Sequence, residues 1–265
     1  MRYSIKQTLR IFGTFMWRDT YVYLKDIHTH IINYVILAPI ILGFCFAYLQ
    51  KNIYFGTQEI ERGTCLFLGS ITAPLLYLAF KIMVELLLDL EGKKFINYQL
   101  GILPARILLV QRIVFASLYT FLLTIPYFPV VKLILGNNLA TTNASWISFI
   151  VLMYVSSLCC ASYTMLAMCV LSVETLGSFW IRVNWVLMNL GGFWVPLAVI
   201  KQFSPILGFL AYFNPLLYMM EGTRSTILGT TIFISAFYCM VILLAFSMLF
   251  IILSWYFFKK RIDHI

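Results

Sequence analysis

Long apolar stretches separated by short polar segments dominate the chain. A helix needs about 20 apolar residues to cross a hydrocarbon core of roughly 30 Å, and six stretches reach that length. They cover Ile31–Gln50, Cys65–Leu88, Ile113–Leu135, Trp146–Ser172, Phe179–Ile200 and Thr231–Phe258. The pattern predicts an all-α integral membrane protein with six transmembrane helices, in a single transmembrane domain over residues 1–265.

Residues 1–28 are too polar to span a membrane, but they carry an amphipathic pattern. At about 100° per residue, one narrow apolar face is formed by Ile5, Leu9, Phe12 and Met16. Basic residues occupy the neighbouring side, namely Arg2, Lys6, Arg10 and Arg18. The pattern predicts an N-terminal helix that lies in the membrane surface. A mobile basic tail that only sets the topology is the alternative.

Residues 201–229 are apolar, but prolines and glycines recur too often for one continuous helix. The interrupting residues are Pro205, Gly208, Pro215, Gly222 and Gly229. Irregular backbone at membrane depth must be buried in protein or face water. The segment therefore predicts short re-entrant helices before the sixth span.

Charge fixes the expected orientation. Only 11% of the residues are charged, and the basic excess of +9 lies mostly between the spans. With six spans, 13 of the Lys and Arg residues fall on the side of both termini and 5 on the other side. The positive-inside rule places both termini in the cytoplasm, most readily of a bacterial inner membrane, and makes 201–229 external. The bilayer explains this basic charge better than a nucleic acid does.

The segment between spans 2 and 3 carries the densest cluster of charge in the chain. Its short amphipathic middle ends at Pro104, and residues 90–105 predict a cytoplasmic helix that a partner protein grips. Apolar contacts are expected from Phe95, Tyr98, Leu100 and Leu103. Lys93, Lys94 and Arg106 are expected to steer and register the partner.

Lys81 and Glu85 lie four residues apart near the end of the second span, so a helix places them on one face. An ion pair between them would lower the cost of charge in the membrane. Two interpretations stay open: a polar face toward a partner helix or pathway, and a pair that reaches to the interface.

Motifs for catalysis or metal binding are not evident. The histidines His28, His30 and His264 lack a metal-binding partner at i+4, and no lysine precedes Ser or Thr as in a phosphate-binding loop. We therefore expect no catalytic residue, no metal site and no cofactor on this chain. The many tyrosines indicate core packing and interface belts, with a sugar-stacking lumen as the alternative. Asn143 begins a sequon that matters only in a cell that glycosylates proteins.

Two local patterns resemble the permease subunit of type-2 ABC transporters, the class that exports O-antigen, teichoic acid and drugs. One is Asn214-Pro215-Leu216-Leu217-Tyr218, followed by Glu221-Gly222 and Arg224. The other is Leu90-Glu91-Gly92 through Leu100-Gly101-Ile102-Leu103-Pro104. A further acidic residue, common in the coupling segment of that family, is missing, and Asn97 and Gln99 occupy the region.

The resemblance covers essentially the whole chain and implies a subunit that carries no enzyme activity itself. A separate ATPase, with ATP and magnesium, would dock on Glu91, Gly92, Lys93, Lys94, Phe95, Tyr98, Leu100, Gly101, Leu103 and Pro104. An interface helix would brace this contact through Arg10, Arg18, Asp19 and Lys25. An external gate would contain Asn214, Pro215, Tyr218, Glu221, Gly222 and Arg224. Two permeases, identical or paired, would form the pathway for a polysaccharide, a lipid or a drug-like amphiphile.

Two other classes compete with this interpretation. A secondary transporter or channel works without an ATPase, and it needs a coupling site near the midplane, often on repeated halves. No clear repeat is visible, and Lys81 and Glu85 are the strong intramembrane candidates. A membrane-bound enzyme needs acidic residues or histidines clustered at one membrane face, which the sequence does not show.

Overall fold

Helices form most of the part of the chain that the structure describes. This structure is a computed structural model, and it describes residues 5–48, 54–55, 58–92, 99–102, 104–136, 139, 141, 144–229 and 232–263. The first helix, α1 (Ile5–Lys25), buries Phe15, Asp19 and Tyr23, which are spaced four residues apart and share one face. The helix expected over residues 1–28 is therefore present in the described part, and this stripe holds it against the bundle.

The second helix, α2 (Ile27–Tyr48), is the first one long and apolar enough to cross a membrane. It widens into π-helix over Ile31–Leu37 and Gly43–Tyr48, on either side of Pro39. Proline has no backbone N–H to donate one turn back, so a change of helical register beside it is expected. A hairpin of β1 (Tyr54–Phe55) and β2 (Gln58–Glu61) follows, an element that the sequence did not predict.

The next two spans each consist of two helices. The second span contains α3 (Arg62–Ser70) and α4 (Thr72–Gly92), and the third contains α5 (Ala105–Thr124) and α6 (Tyr127–Leu135). Pro126 separates α5 from α6. The third span begins eight residues before the predicted Ile113, because the polar residues Arg106, Gln111 and Arg112 belong to the helix.

Helix α7 (Trp146–Val170) lies at the centre of the bundle and packs on α4, on α5 and on the two later helices Pro215–Leu228 and Ala236–Asp263. Small residues are buried along its length, among them Ser156, Ser157, Cys159, Cys160 and Ala161. Small side chains let membrane helices approach closely. The cysteines of the described chain are free, as expected for a packing role.

The predicted fifth span is not one continuous helix. Residues 173–190 are helical, but Gly191–Val195 form a turn in which Gly192 has φ +89°, a conformation that suits glycine. Three short helices follow, α8 (Leu197–Phe203), α9 (Pro205–Ala211) and α10 (Pro215–Leu228). The last helix is α11 (Ala236–Asp263). The described residues thus contain five helices that meet the length and hydropathy of a span, rather than six.

The described end of α11, the end of α7 and the start of α5 lie together at one end of the bundle, which we call the terminal end. Arg261 of α11 donates to the carbonyls of Met168 and Leu171 at the end of α7, at 2.8 and 2.7 Å. The Arg106 guanidinium, near the start of α5, lies 4.8 Å from the ring centroid of Trp255. At the opposite end, the Ser145 N–H donates to the Thr226 carbonyl at 2.8 Å. The chain must therefore return across the bundle between residues 171 and 226.

Candidate functional site

A buried carboxylate organises the terminal end. Asp19 is only 2% exposed and accepts hydrogen bonds from Arg18 Nε at 2.9 Å and from Gln111 Nε2 at 2.7 Å. Arg112 Nη1 lies 3.5 Å from the same carboxylate. A charge taken out of water needs such partners, because its solvation is otherwise lost. The cluster therefore fixes α1 against the start of α5.

The same cluster reaches the predicted docking segment. Arg112 Nη2 donates to Gln99 Oε1 at 3.4 Å, and Gln99 is fully buried. Residues 99–102 are helical, and Pro104 separates them from α5 with an extended backbone (ψ 140°). Arg112 thus connects residues 99–102 to α5, and Asp19 connects α5 to α1.

The other predicted docking residues are partly described. Leu100 is half-buried and packs against the apolar core of the terminal end, whereas Gly92, Gly101 and Pro104 are exposed. The backbone of Glu91 lies in the last turn of α4. Lys93, Lys94, Phe95, Tyr98 and Leu103 lie outside the described residues, so the helix predicted over 90–105 is seen only at 99–102.

The four predicted residues of the interface helix do not act alike. Arg18 and Asp19 belong to the buried cluster. A partner protein would not contact Asp19 directly and would be affected by it only through the position of α1. Arg10 and Lys25 are exposed, and Lys25 Nζ lies 5.3 Å from the ring centroid of Tyr21. Burial, together with the charge of nearby Glu85, raises the pKa of the Tyr23 hydroxyl on the same helix.

Lys81 and Glu85 do not pair with each other as predicted, since neither takes part in the ion pairs of the described residues. Lys81 Nζ instead lies 3.1 Å from Nε2 of His30, and Nδ1 of His30 bonds the hydroxyl of Tyr119. Glu85 is exposed. From sequence, His30 was a candidate only as a metal ligand. It directly precedes the predicted span Ile31–Gln50, so nothing local pointed to a polar partner on another helix.

The predicted gate residues form a second buried centre, around an arginine. Arg224 is fully buried, and its Nε donates to the carbonyl of Cys65 at 3.0 Å, while Nη2 donates to that of Gly192 at 2.6 Å. Nη1 pairs with Glu221 Oε1 at 3.2 Å, and this oxygen also accepts the N–H of Leu197 at 3.0 Å. One guanidinium thus joins α10, α3 and the turn at Gly191–Val195.

Asn214 and its neighbours fix the start of α10. The Asn214 side chain caps the helix by accepting the Leu216 N–H at 3.0 Å, and it donates to the Leu187 carbonyl at 2.5 Å. Pro215 occupies the first turn, where no N–H donor is needed. The Tyr218 hydroxyl donates to the Tyr212 carbonyl at 2.9 Å. The segment described from sequence as broken and external therefore contains a 14-residue helix that is buried almost throughout.

A cavity of about 410 Å³ lies between α2, α4 and residues 180–188. Its walls are almost entirely apolar, and aromatic rings of Tyr34, Tyr77, Tyr127, Trp180 and Trp185 contribute to them.

The bundle of long apolar helices defines a multi-pass membrane protein. The profile of the ABC-2 type transporter family matches residues 11–228, which is most of the chain. The chain therefore belongs to this family and is the transmembrane permease of an ABC transporter. Permeases of this family generally pair with an ABC ATPase subunit. No curated protein and no solved structure was found to match.

Proposed function

We propose that this permease works in an ATP-driven exporter and that its ATPase binds at the terminal end. The observation that carries the proposal is the contact chain from Gln99 through Arg112 to Asp19. A partner that pushes on residues 99–102 would thereby move α5 and α1 together. ATP and magnesium belong on the ATPase, and two permeases with two ATPases make the working unit.

Residues 173–190 serve as the fifth membrane crossing in this proposal. A helix of 18 residues rises about 27 Å, close to the hydrocarbon thickness. Arg182, Asn184 and Asn189 lower its hydropathy, and the Asn184 amide oxygen accepts a bond from the Tyr163 hydroxyl at 2.7 Å. Six crossings put both termini on one side, and the excess of basic residues there supports the cytoplasm of an inner membrane. The Arg224 centre then stands on the external side as the gate for a polysaccharide, lipid or drug-like amphiphile.

The docking role is tested by co-expression of the tagged chain with its partner ABC ATPase. Charge reversal by Lys93→Glu together with Lys94→Glu is expected to lower ATPase recovery about tenfold, since it removes charges that register the contact. The matched control is Lys259→Glu with Lys260→Glu, which reverses two exposed charges at the same end of the bundle. The control is expected to retain the wild-type recovery.

Equal recovery from wild type and the Lys93/Lys94 variant would contradict the docking role. One observation favours the alternative class, a secondary transporter or channel. His30, Lys81 and Tyr119 form a cluster of titratable side chains inside the spans. Robust transport by the purified chain in vesicles without any ATPase would favour that rival.

A further inference from the structure

A buried histidine joins three helices close to the junction of α1 and α2. His30 is only 4% exposed. Its Nε2 lies 3.1 Å from Nζ of Lys81 in α4, and its Nδ1 bonds the hydroxyl of Tyr119 in α5. All three side chains belong to one chain, so the contact does not depend on what surrounds the bundle.

The contact requires an unprotonated Nε2. An ammonium group only donates hydrogen bonds, so Nε2 of His30 is the acceptor and Nδ1 carries the single ring proton. The pair of His30 and Lys81 therefore holds one positive charge. A second proton, taken from water, adds to Nε2, where it removes the acceptor and places two cations 3.1 Å apart. Proton binding by His30 thus breaks the contact between α2 and α4.

Other titratable groups lie around this histidine on each helix that packs against it. They are Tyr23, Asp26, Tyr34, Lys81, Glu85 and Tyr119. Two of them are carboxylates, Asp26 and Glu85, and both are exposed. A carboxylate favours the charged form of a nearby histidine, whereas an ammonium group opposes it. The surroundings therefore balance the two protonation states of His30.

Glu85 offers Lys81 an alternative partner. It follows Lys81 by four residues in α4, the spacing at which side chains of one helix meet. In the structure Lys81 contacts His30 instead, and the two residues do not share an ion pair among those of the described residues. A charged His30 would repel Lys81, while Glu85 would attract it. The group thus has two arrangements, and one proton selects between them.

We propose that His30 is a proton-binding site that controls how α2 is held to α4. Lys81 holds α2 when His30 is neutral, and Lys81 pairs with Glu85 when His30 carries the second proton. Histidine is the side chain that changes charge between about pH 5 and 8. Since Asp26 alone separates α2 from α1, the release of α2 also loosens α1. The inference goes beyond the proposed function and does not depend on where the ATPase binds.

Histidine NMR of the chain in lipid vesicles tests the site. The chain has three histidines, so His28→Gln together with His264→Gln leaves His30 as the sole one. With isotope-labelled histidine, we expect Nε2 to be unprotonated at about pH 8 and protonated at about pH 5. Adding Lys81→Gln keeps a donor but removes the charge, and the titration midpoint should rise by about one pH unit. A ring whose protonation does not change over this range, or an unchanged midpoint in the Lys81 variant, would overturn the proposal.

Thermal unfolding in lipid nanodiscs tests the release of α2. His30→Gln keeps both contacts, because its amide oxygen accepts from Lys81 and its amide nitrogen donates to Tyr119, but it takes up no proton. As the pH falls from about 7.5 to about 5.5, the wild type should lose about 3 °C more of its unfolding midpoint than His30→Gln. The physical reason is that His30 binds a proton more readily in the unfolded state, where Lys81 is distant.

His28→Gln is the matched control, since His28 is exposed and only two residues away. It should respond to pH as the wild type does. An equal loss in the wild type and in His30→Gln would contradict the release of α2, and so would a loss that His28→Gln abolishes. Both experiments use the chain without an ATPase, so their outcome is separate from that of the docking experiment.

Discussion

At the scale of single residues, two buried charged side chains hold together the helices that are expected to move. Asp19 ties α1 to α5, and Arg224 ties α10 to α3 and to the turn at Gly191–Val195. Each charge is almost free of solvent contact. Removing one partner takes the opposite charge away from a buried group, which is a damaging way to change such a pair.

Asp19→Asn should destabilise the protein by about 3 kcal/mol, because the Arg112 guanidinium stays buried without its carboxylate. Thermal unfolding in lipid nanodiscs measures the effect. Asp26→Asn is the matched control, since Asp26 is an exposed carboxylate seven residues further along, and its unfolding midpoint should not change. A wild-type midpoint for Asp19→Asn would show that the cluster does not hold α1 in place.

Arg224→Lys keeps the charge but loses the planar fork that reaches several acceptors at once. We expect the bonds to the carbonyls of Cys65 and Gly192 not to form together, and stability to fall by about 2 kcal/mol. Arg182→Lys, an exposed position in residues 173–190, controls for the same chemical change. Equal unfolding midpoints for the two variants would contradict the role of the guanidinium as a clamp.

The sequence predicted these charges unequally well. The neighbours Arg18 and Asp19 pointed to a polar patch on α1, but nothing local showed that Arg112 completes it from another helix. Lys81 and Glu85 suggested an ion pair by their spacing, yet the histidine of a different span is the partner of Lys81. Contacts between residues distant in sequence depend on helix packing, which hydrophobic periodicity does not encode.

At the scale of helices, the apolar pattern predicted the spans well wherever charge was absent. The second span ends at Leu88 and the fourth begins at Trp146, both as predicted. The third span begins earlier than predicted, because Arg106 stacks on Trp255 and Arg112 pairs with Asp19. Such compensation makes polar residues acceptable in a helix whose sequence alone looks too polar.

Gly222 is where α10 packs most tightly against the central helices. A Cβ at this position would lie 2.8 Å from Leu152 Cδ2 and 3.1 Å from Cys239 Cβ. Gly222→Ala should therefore cost about 1–3 kcal/mol by overpacking. Gly13→Ala in α1, where a Cβ meets nothing within 4 Å, should be neutral or slightly stabilising. Thermal unfolding compares the two, and a tolerated Gly222→Ala would show that α10 can move away from α7.

At the scale of the whole molecule, the path of the chain decides the topology. The end of α7 lies near Arg261 at the terminal end of the bundle, whereas Ser145 contacts Thr226 at the opposite end. The chain must therefore cross the bundle again between residues 171 and 226. Six crossings with both termini inside follow if residues 173–190 complete that return within the membrane. The sequence predicts six spans from its apolar stretches and the cytoplasmic side from its basic residues, and the contacts bear only on the return of the chain.

Fusion reporters at the two termini test the topology. A fluorescent protein that folds only in the cytoplasm should be active at both ends, and alkaline phosphatase should be active at neither. Phosphatase fused after Ser145, at the opposite end of the bundle, serves as the positive control. Phosphatase activity at just one terminus would indicate five crossings and would move the broken segment to the cytoplasm.

Site-directed photocrosslinking tests most directly that energy enters at the terminal end. A benzophenone label is attached to Gly101→Cys, where a Cβ meets open space, in the complex with the co-expressed ATPase. Ser145→Cys, exposed at the opposite end, carries the same label as the control. We expect an adduct with the ATPase from position 101 alone. An assembled complex that crosslinks from position 145 and not from 101 would contradict it.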